Sequence, residues 1–155
     1  MTPNEIRIAL LTRPARDVLA LTLYAEARGE PAEGRAAVAW VIKTRAATRQ
    51  QTIQCVCLQK NQFSCWWGSD SNSQALFARA AAMLAGDAAV HAEAAWLETR
   101  AIARRVLTSE LPDPVAGADH YLTTALYRAP ACPAWAKGMT VTATIGHHTF
   151  LRSTP

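Results

Sequence analysis

Leu23-Tyr24-Ala25-Glu26-Ala27-Arg28-Gly29-Glu30-Pro31 decides the reading of this chain, because it sets one carboxylate near the end of an apolar helix and then breaks that helix. Pro14 suits a first turn, where its missing N–H goes unused, with Thr12 or Arg13 before it as the cap. The predicted helix runs from about residue 14 to residue 28. Gly29 is expected to end it in the left-handed conformation, and Pro31 pushes Glu30 out of the helical region. Leu19, Leu23 and Glu26 stand at i, i+4 and i+7, so the Glu26 carboxylate leaves from the leucine stripe rather than from the side of Arg16 and Asp17. Partial burial raises a carboxyl pKa, as a general acid working near neutrality requires. The competing reading makes Glu26 a structural ion pair with Arg28 or another arginine. Glu30 lies beyond the break and flanks the next helix, where Glu33 sits favourably near the positive end.

The 155 residues fit one domain, residues 1–155, and half of them are hydrophobic, enough for a sizeable core. A net charge of +4 and a pI of about 9.1 favour an anionic partner, but the charge is spread along the chain rather than clustered. No apolar run approaches the roughly 20 residues of a membrane span. The N-terminus lacks a basic-then-apolar signal pattern, so synthesis as a soluble cytoplasmic protein is expected. Cys55, Cys57, Cys65 and Cys132 lack zinc spacing and read as reduced thiols, small buried hydrophobes.

From Ala32 to Arg49, residues Ala37, Val38, Val41 and Ile42 define a second helix, with Arg35, Lys43, Arg45 and Arg49 mostly off its apolar face. Trp40 beside that stripe reads as core, with stacking on a sugar as the alternative. Periodicity disappears from Gln50 to Ser73, where amides and hydroxyls mix with aromatics. A long loop of that composition suits a cleft wall, and Gln62, Ser64, Trp66 and Trp67 supply the polar groups and flat faces that sugars need. The alternative is a hydrophobic plug of Phe63 and Trp66. A third helix is predicted from Ser71 to Ala85, capped by Asn72 or Ser73, and a fourth from Ala88 to Ser109 with His91 structural. His120 and Tyr121 follow a break and can reach a cleft. From Met139 to Arg152 the period becomes two, with Gly146 at the turn of a β-hairpin. His147-His148 lacks further ligands at zinc spacing, so no metal is expected.

The ordered set Ala25-Glu26-Ala27-Arg28-Gly29-Glu30-Pro31, Gln62-Phe63-Ser64-Cys65-Trp66, Gly117-Ala118-Asp119-His120-Tyr121 and Ala143-Thr144-Ile145-Gly146-His147-His148-Thr149-Phe150 resembles the cell-wall hydrolases of the spore cortex-lytic type. The resemblance spans about residues 19–152. It implies an α+β, mainly helical lysozyme-like domain with a small C-terminal hairpin, and a lytic transglycosylase whose essential glutamate maps on Glu26. Threonine is common in the family where this chain has Asp119, and asparagine where it has His147. A compact form without a wall-binding domain resembles a phage or prophage endolysin, reaching the periplasm through a membrane lesion.

The resulting expectation is cleavage of the β-1,4 bond between N-acetylmuramic acid and N-acetylglucosamine in bacterial peptidoglycan. Glu26 is the acid, and the muramyl 6-hydroxyl attacks in place of water, since no second carboxylate has comparable support. Gln62, Ser64, Tyr121, His120 and Trp66 are the candidate substrate-binding residues. A monomer is expected, with no cofactor, no nucleic-acid partner and no stable membrane insertion. The rivals are a hydrolytic muramidase, an amidase cutting the stem peptide, and a non-catalytic wall- or nucleic-acid-binding module.

Overall fold

The computed structural model describes residues 1–154. Its first helix, α1 (Pro3–Leu10), escaped the sequence reading although a reciprocal capping pair starts it. The Thr2 hydroxyl accepts the Glu5 N–H at 3.3 Å, and the Glu5 carboxylate accepts the Thr2 N–H at 2.6 Å. Helix α2 (Ala15–Ala27) begins after Pro14, which is itself the N-cap, so neither Thr12 nor Arg13 has that role. Every residue from Asp17 to Tyr24 is buried. A helix covered on all sides belongs at the centre of a fold, and four other helices, those over residues 32–49, 53–58, 71–84 and 94–107, pack around this one. Asp17, the buried charge in that run, is held by Arg16 Nε at 3.4 Å and Arg100 Nη2 at 3.2 Å.

The break after α2 differs from the expectation. Gly29 does not have a positive φ; the chain turns through a Glu30 N–H to Ala27 carbonyl bond of 2.9 Å, and Pro31 caps the next helix. That helix, α3 (Ala32–Arg49), has the predicted bounds. The Gln50–Ser73 stretch is less irregular than its sequence implied. It forms α4 (Ile53–Leu58), capped by Thr52, and a single 3-10 turn at Ser64–Trp66. Helix α5 (Ser71–Leu84) is capped by Asp70, which accepts the Ser73 N–H at 2.8 Å, rather than by Asn72 or Ser73. The predicted fourth helix is two pieces: a 3-10 turn at Ala88–His91, capped by Asp87, and α6 (Ala94–Leu107). His91 is structural there, accepting the Trp96 indole N–H at 3.2 Å.

Toward the C-terminus come β1 (His120–Thr123), the short helices α7 (Thr124–Arg128) and α8 (Ala134–Lys137), then β2 (Thr140–Ile145) and β3 (His148–Arg152). The predicted hairpin is present, but β1 adds a third strand and makes an antiparallel sheet ordered β1-β3-β2. Its register pairs Tyr121 with Phe150 and Thr123 with His148. The central strand β3 is buried from His148 to Leu151. The fold is α+β and mainly helical, and its main core joins Trp66, Phe63, Trp96 and the α2 leucines to Phe150 of the sheet. The end of α2 therefore points toward the sheet.

Candidate active site

Glu26 occupies the last turn of α2, half-buried, at the floor of a cleft of about 550 Å³. Three other parts of the chain close around it: α3 through Arg45, the loop from Asn61 to Gly68, and β1 through Tyr121. The 3-10 turn Ser64–Trp66 directs the Cys65 backbone N–H at Glu26 Oε1, 3.3 Å away. Tyr121 faces the same carboxylate. Burial and the adjacent Glu26 charge push its phenol well above the ordinary tyrosine range, so it remains a neutral hydroxyl. The Cys65 thiol is likewise pushed up, by burial and then by Glu26, and the Cys57 thiol to about 12 by burial. All four cysteines are free; Cys57, Cys65 and Cys132 are the small buried groups expected, whereas Cys55 is exposed.

The two readings of the loop divide residue by residue. Gln62, Ser64 and Trp67 line the cleft. Phe63 and Trp66 form the plug, Phe63 also bordering the cleft floor at 2% exposure, and Trp66 with no exposed surface and its indole N–H given to Thr22 Oγ1 at 3.0 Å. Trp66, a candidate substrate-binding residue from sequence, is thus buried away from the cleft, whereas Trp67, 39% exposed with the Arg7 guanidinium 4.0 Å from its ring centroid, presents an indole at the cleft wall. Trp40 is half-buried against the core and donates to the Leu111 carbonyl oxygen at 3.2 Å. His120 lies one step aside from the cleft, its Nδ1 2.9 Å from Asp119 and its ring 5.5 Å from that of Trp135.

Arg45 is the site residue that sequence reasoning missed. The sequence pattern puts it among arginines mostly off the apolar face of α3, yet it is buried, with Nε donating to the Asp119 carbonyl oxygen at 2.5 Å. The signal was present: Val38, Val41, Ile42 and Arg45 stand at i, i+3, i+4 and i+7. Burial lowers the Arg45 pKa below the usual arginine value, and Arg49 adds to that.

Glu30 is turned away to another task. Its Oε2 accepts the His147 N–H at 3.2 Å, and its Oε1 lies 3.2 Å from His147 Nδ1 and 3.3 Å from His148 Nδ1. Gly146, at φ +57°, makes this approach possible, because a Cβ there would collide with the Glu30 carboxylate. The adjacent histidines thus belong to a latch between the α2–α3 break and the β2–β3 turn. With Glu33 exposed at the start of α3, Glu26 is the one carboxylate lining the cleft among the described residues.

This arrangement of one half-buried carboxylate, neutral donors and an exposed indole face suits acid chemistry on a sugar polymer. Residues 29–151 match the family described as Cell Wall Hydrolase, and the chain belongs to that family of wall-degrading enzymes. The match starts three residues after Glu26, so the case for Glu26 rests on the geometry above. No curated protein matches the chain. Two solved structures share the fold. The catalytic domain of the germination-specific lytic transglycosylase SleB from Bacillus anthracis aligns at TM-score 0.60 and 21% identity, over 89% of this chain and 93% of that one. The catalytic domain of Bacillus cereus SleB aligns at 0.60 and 20%, over 89% of each chain.

Proposed function

We propose that this protein is a lytic transglycosylase that cuts the MurNAc–GlcNAc β-1,4 bond of peptidoglycan and leaves 1,6-anhydro-MurNAc ends. The observation that carries the reading is the single carboxylate in the cleft. A hydrolase of the usual kind needs a second one, as nucleophile or as base for water, at a separation of about 5–10 Å across the bond. Protonated Glu26 gives its proton to the leaving glycosidic oxygen as the C1–O bond breaks. The resulting carboxylate takes the proton of the muramyl 6-hydroxyl, whose oxygen closes on C1. The acid is regenerated without water. The tether makes the 6-hydroxyl effectively concentrated, which favours it over solvent.

The Cys65 N–H fixes the Glu26 carboxylate, and Tyr121 offers a hydroxyl beside it. Gln62 and Ser64 meet the polar edges of the sugar while Trp67 meets a flat face. The structurally similar SleB catalytic domain belongs to a lytic transglycosylase, which supports this reading. No helix among the described residues is long and apolar enough to cross a membrane. We read the chain as one catalytic domain acting as a monomer in the periplasm, an endolysin reaching the wall through a lesion made by another protein. The test is Glu26→Gln on purified peptidoglycan: release of glycan fragments should fall on the order of 10³-fold or more with the fold intact. Substantial residual release, or freed stem peptides from intact glycan strands, would contradict the reading.

A further inference from the structure

Beside the Glu26 cleft lies a second recess of about 340 Å³ that shares Arg45, Asn61, Gln62 and Tyr121 with it and adds Arg49, His120 and Trp135. Its charge is unbalanced. Arg45 Nη1 and Arg49 Nη1 donate to the same oxygen, Gln62 Oε1, at 3.4 and 3.2 Å, so one neutral amide holds two guanidiniums together. Among the described residues no carboxylate comes within 4 Å of either; other arginines, such as Arg7, Arg13 and Arg28, also lack an acidic partner, but these two are the pair held on one shared amide oxygen. The acid nearest in sequence to this wall, Asp119, is engaged elsewhere. Its carboxylate takes the Ser153 N–H at 2.8 Å, the Ser153 hydroxyl and His120 Nδ1, and it meets Arg45 through its backbone carbonyl alone. Gathering like charges on a partly buried wall is unfavourable unless an anion answers them. In the same recess Trp135, 46% exposed and 5.5 Å from the His120 ring, offers an apolar face.

We propose that this recess binds a carboxylate of the stem peptide carried by the muramyl residue in the cleft, and so makes the enzyme selective for peptide-bearing glycan. In intact peptidoglycan the lactyl carboxyl is tied up in an amide, so the free carboxylates belong to the stem. The stem leaves the same sugar that Glu26 acts on, which matches a recess sharing Gln62 and Tyr121 with the cleft. One carboxylate fits between the two guanidiniums as a charge-assisted pair, with methyl and methylene groups of the peptide against Trp135. This inference rests on the glycan reading of the cleft.

The experiment compares peptidoglycan with the same material after its stem carboxylates have been converted to amides, using wild type, Arg49→Gln and Arg49→Lys. Arg49 is exposed, and unchanged thermal midpoints would show that both variants fold. Amidation should lower wild-type kcat/KM for fragment release about fivefold or more, and Arg49→Gln should do the same on unmodified substrate. On amidated substrate Arg49→Gln should add less than about a twofold loss, because both changes remove one interaction. Arg49→Lys should recover most of the activity on unmodified substrate. A wild type indifferent to amidation, or losses that multiply, overturns the proposal, and the first of these tests needs no variant. Equal cutting of both substrates removes this inference while leaving the cleft assignment standing. If the wild type cuts the glycan in neither, the cleft assignment fails and this inference falls with it.

Discussion

At the scale of single residues, Glu26 and Glu30 show how two carboxylates one helical turn apart in sequence acquire different work. Glu26 keeps the helical direction of α2 and faces the cleft, while the turn at Gly29 and Pro31 swings Glu30 onto the β2–β3 turn. Glu26→Gln should therefore remove activity and leave the thermal midpoint equal or higher, since a half-desolvated carboxyl is replaced by a neutral amide. Glu30→Gln should do the reverse. It weakens the acceptor for the His147 N–H and brings an amide NH₂ into the latch, and costs about 1–3 kcal/mol of stability, with turnover largely kept at low temperature. Urea unfolding paired with fragment release separates the two; a folded Glu30→Gln as inactive as Glu26→Gln would put the second carboxylate into the chemistry. Glu26 was legible because helical spacing placed it on the leucine stripe. Trp66 was misread because composition alone cannot tell which of two adjacent indoles faces inward, and here Trp66 bonds Thr22 while Trp67 stays at the rim.

At the scale of elements, the long helices were legible where period and punctuation agreed, as in α3 from Ala32 to Arg49. Shorter pieces were not. Helix α4 has six residues and β1 four, too few for a repeating pattern to declare itself, and β1 exists because β3 offers it a free edge. The cleft depends on the plug beneath its loop: Phe63 is 2% exposed, so Phe63→Ala should cost about 3–5 kcal/mol through the cavity it leaves. Gln62→Ala and Tyr121→Phe should instead lower turnover with little change in unfolding midpoint. The opposite partition would show that wall and plug have been exchanged. Gly146→Ala should destabilise through both its positive φ and the collision with Glu30, a drop in thermal midpoint with no change in the product formed.

At the scale of the whole molecule, the C-terminal sheet meets the helical body partly through His148, which packs edge-on against its sheet neighbour Tyr121 and places Nδ1 3.3 Å from Glu30 at the α2–α3 break. Burial holds its imidazole below the ordinary histidine value of 6.5, with the Glu30 charge offsetting only part of this. Between that value and the lower folded-state pKa the unfolded chain binds a proton that the folded chain does not. Stability should therefore fall as pH falls through this window, and this group should contribute no slope above it. Urea midpoints measured on both sides of the ordinary value should show that slope in wild type and a flatter one in His148→Gln. A slope of the opposite sign would mean that the histidine is charged in the fold. The same packing brings β1 and Tyr121 over Glu26 and leaves the cleft with one carboxylate. Mass spectrometry of the muramyl ends in a peptidoglycan digest tests that claim most directly. Ends lighter than the hydrolytic product by one water, with no new reducing termini, are the predicted result; predominantly reducing muramic acid ends would show that water is the nucleophile and contradict the account.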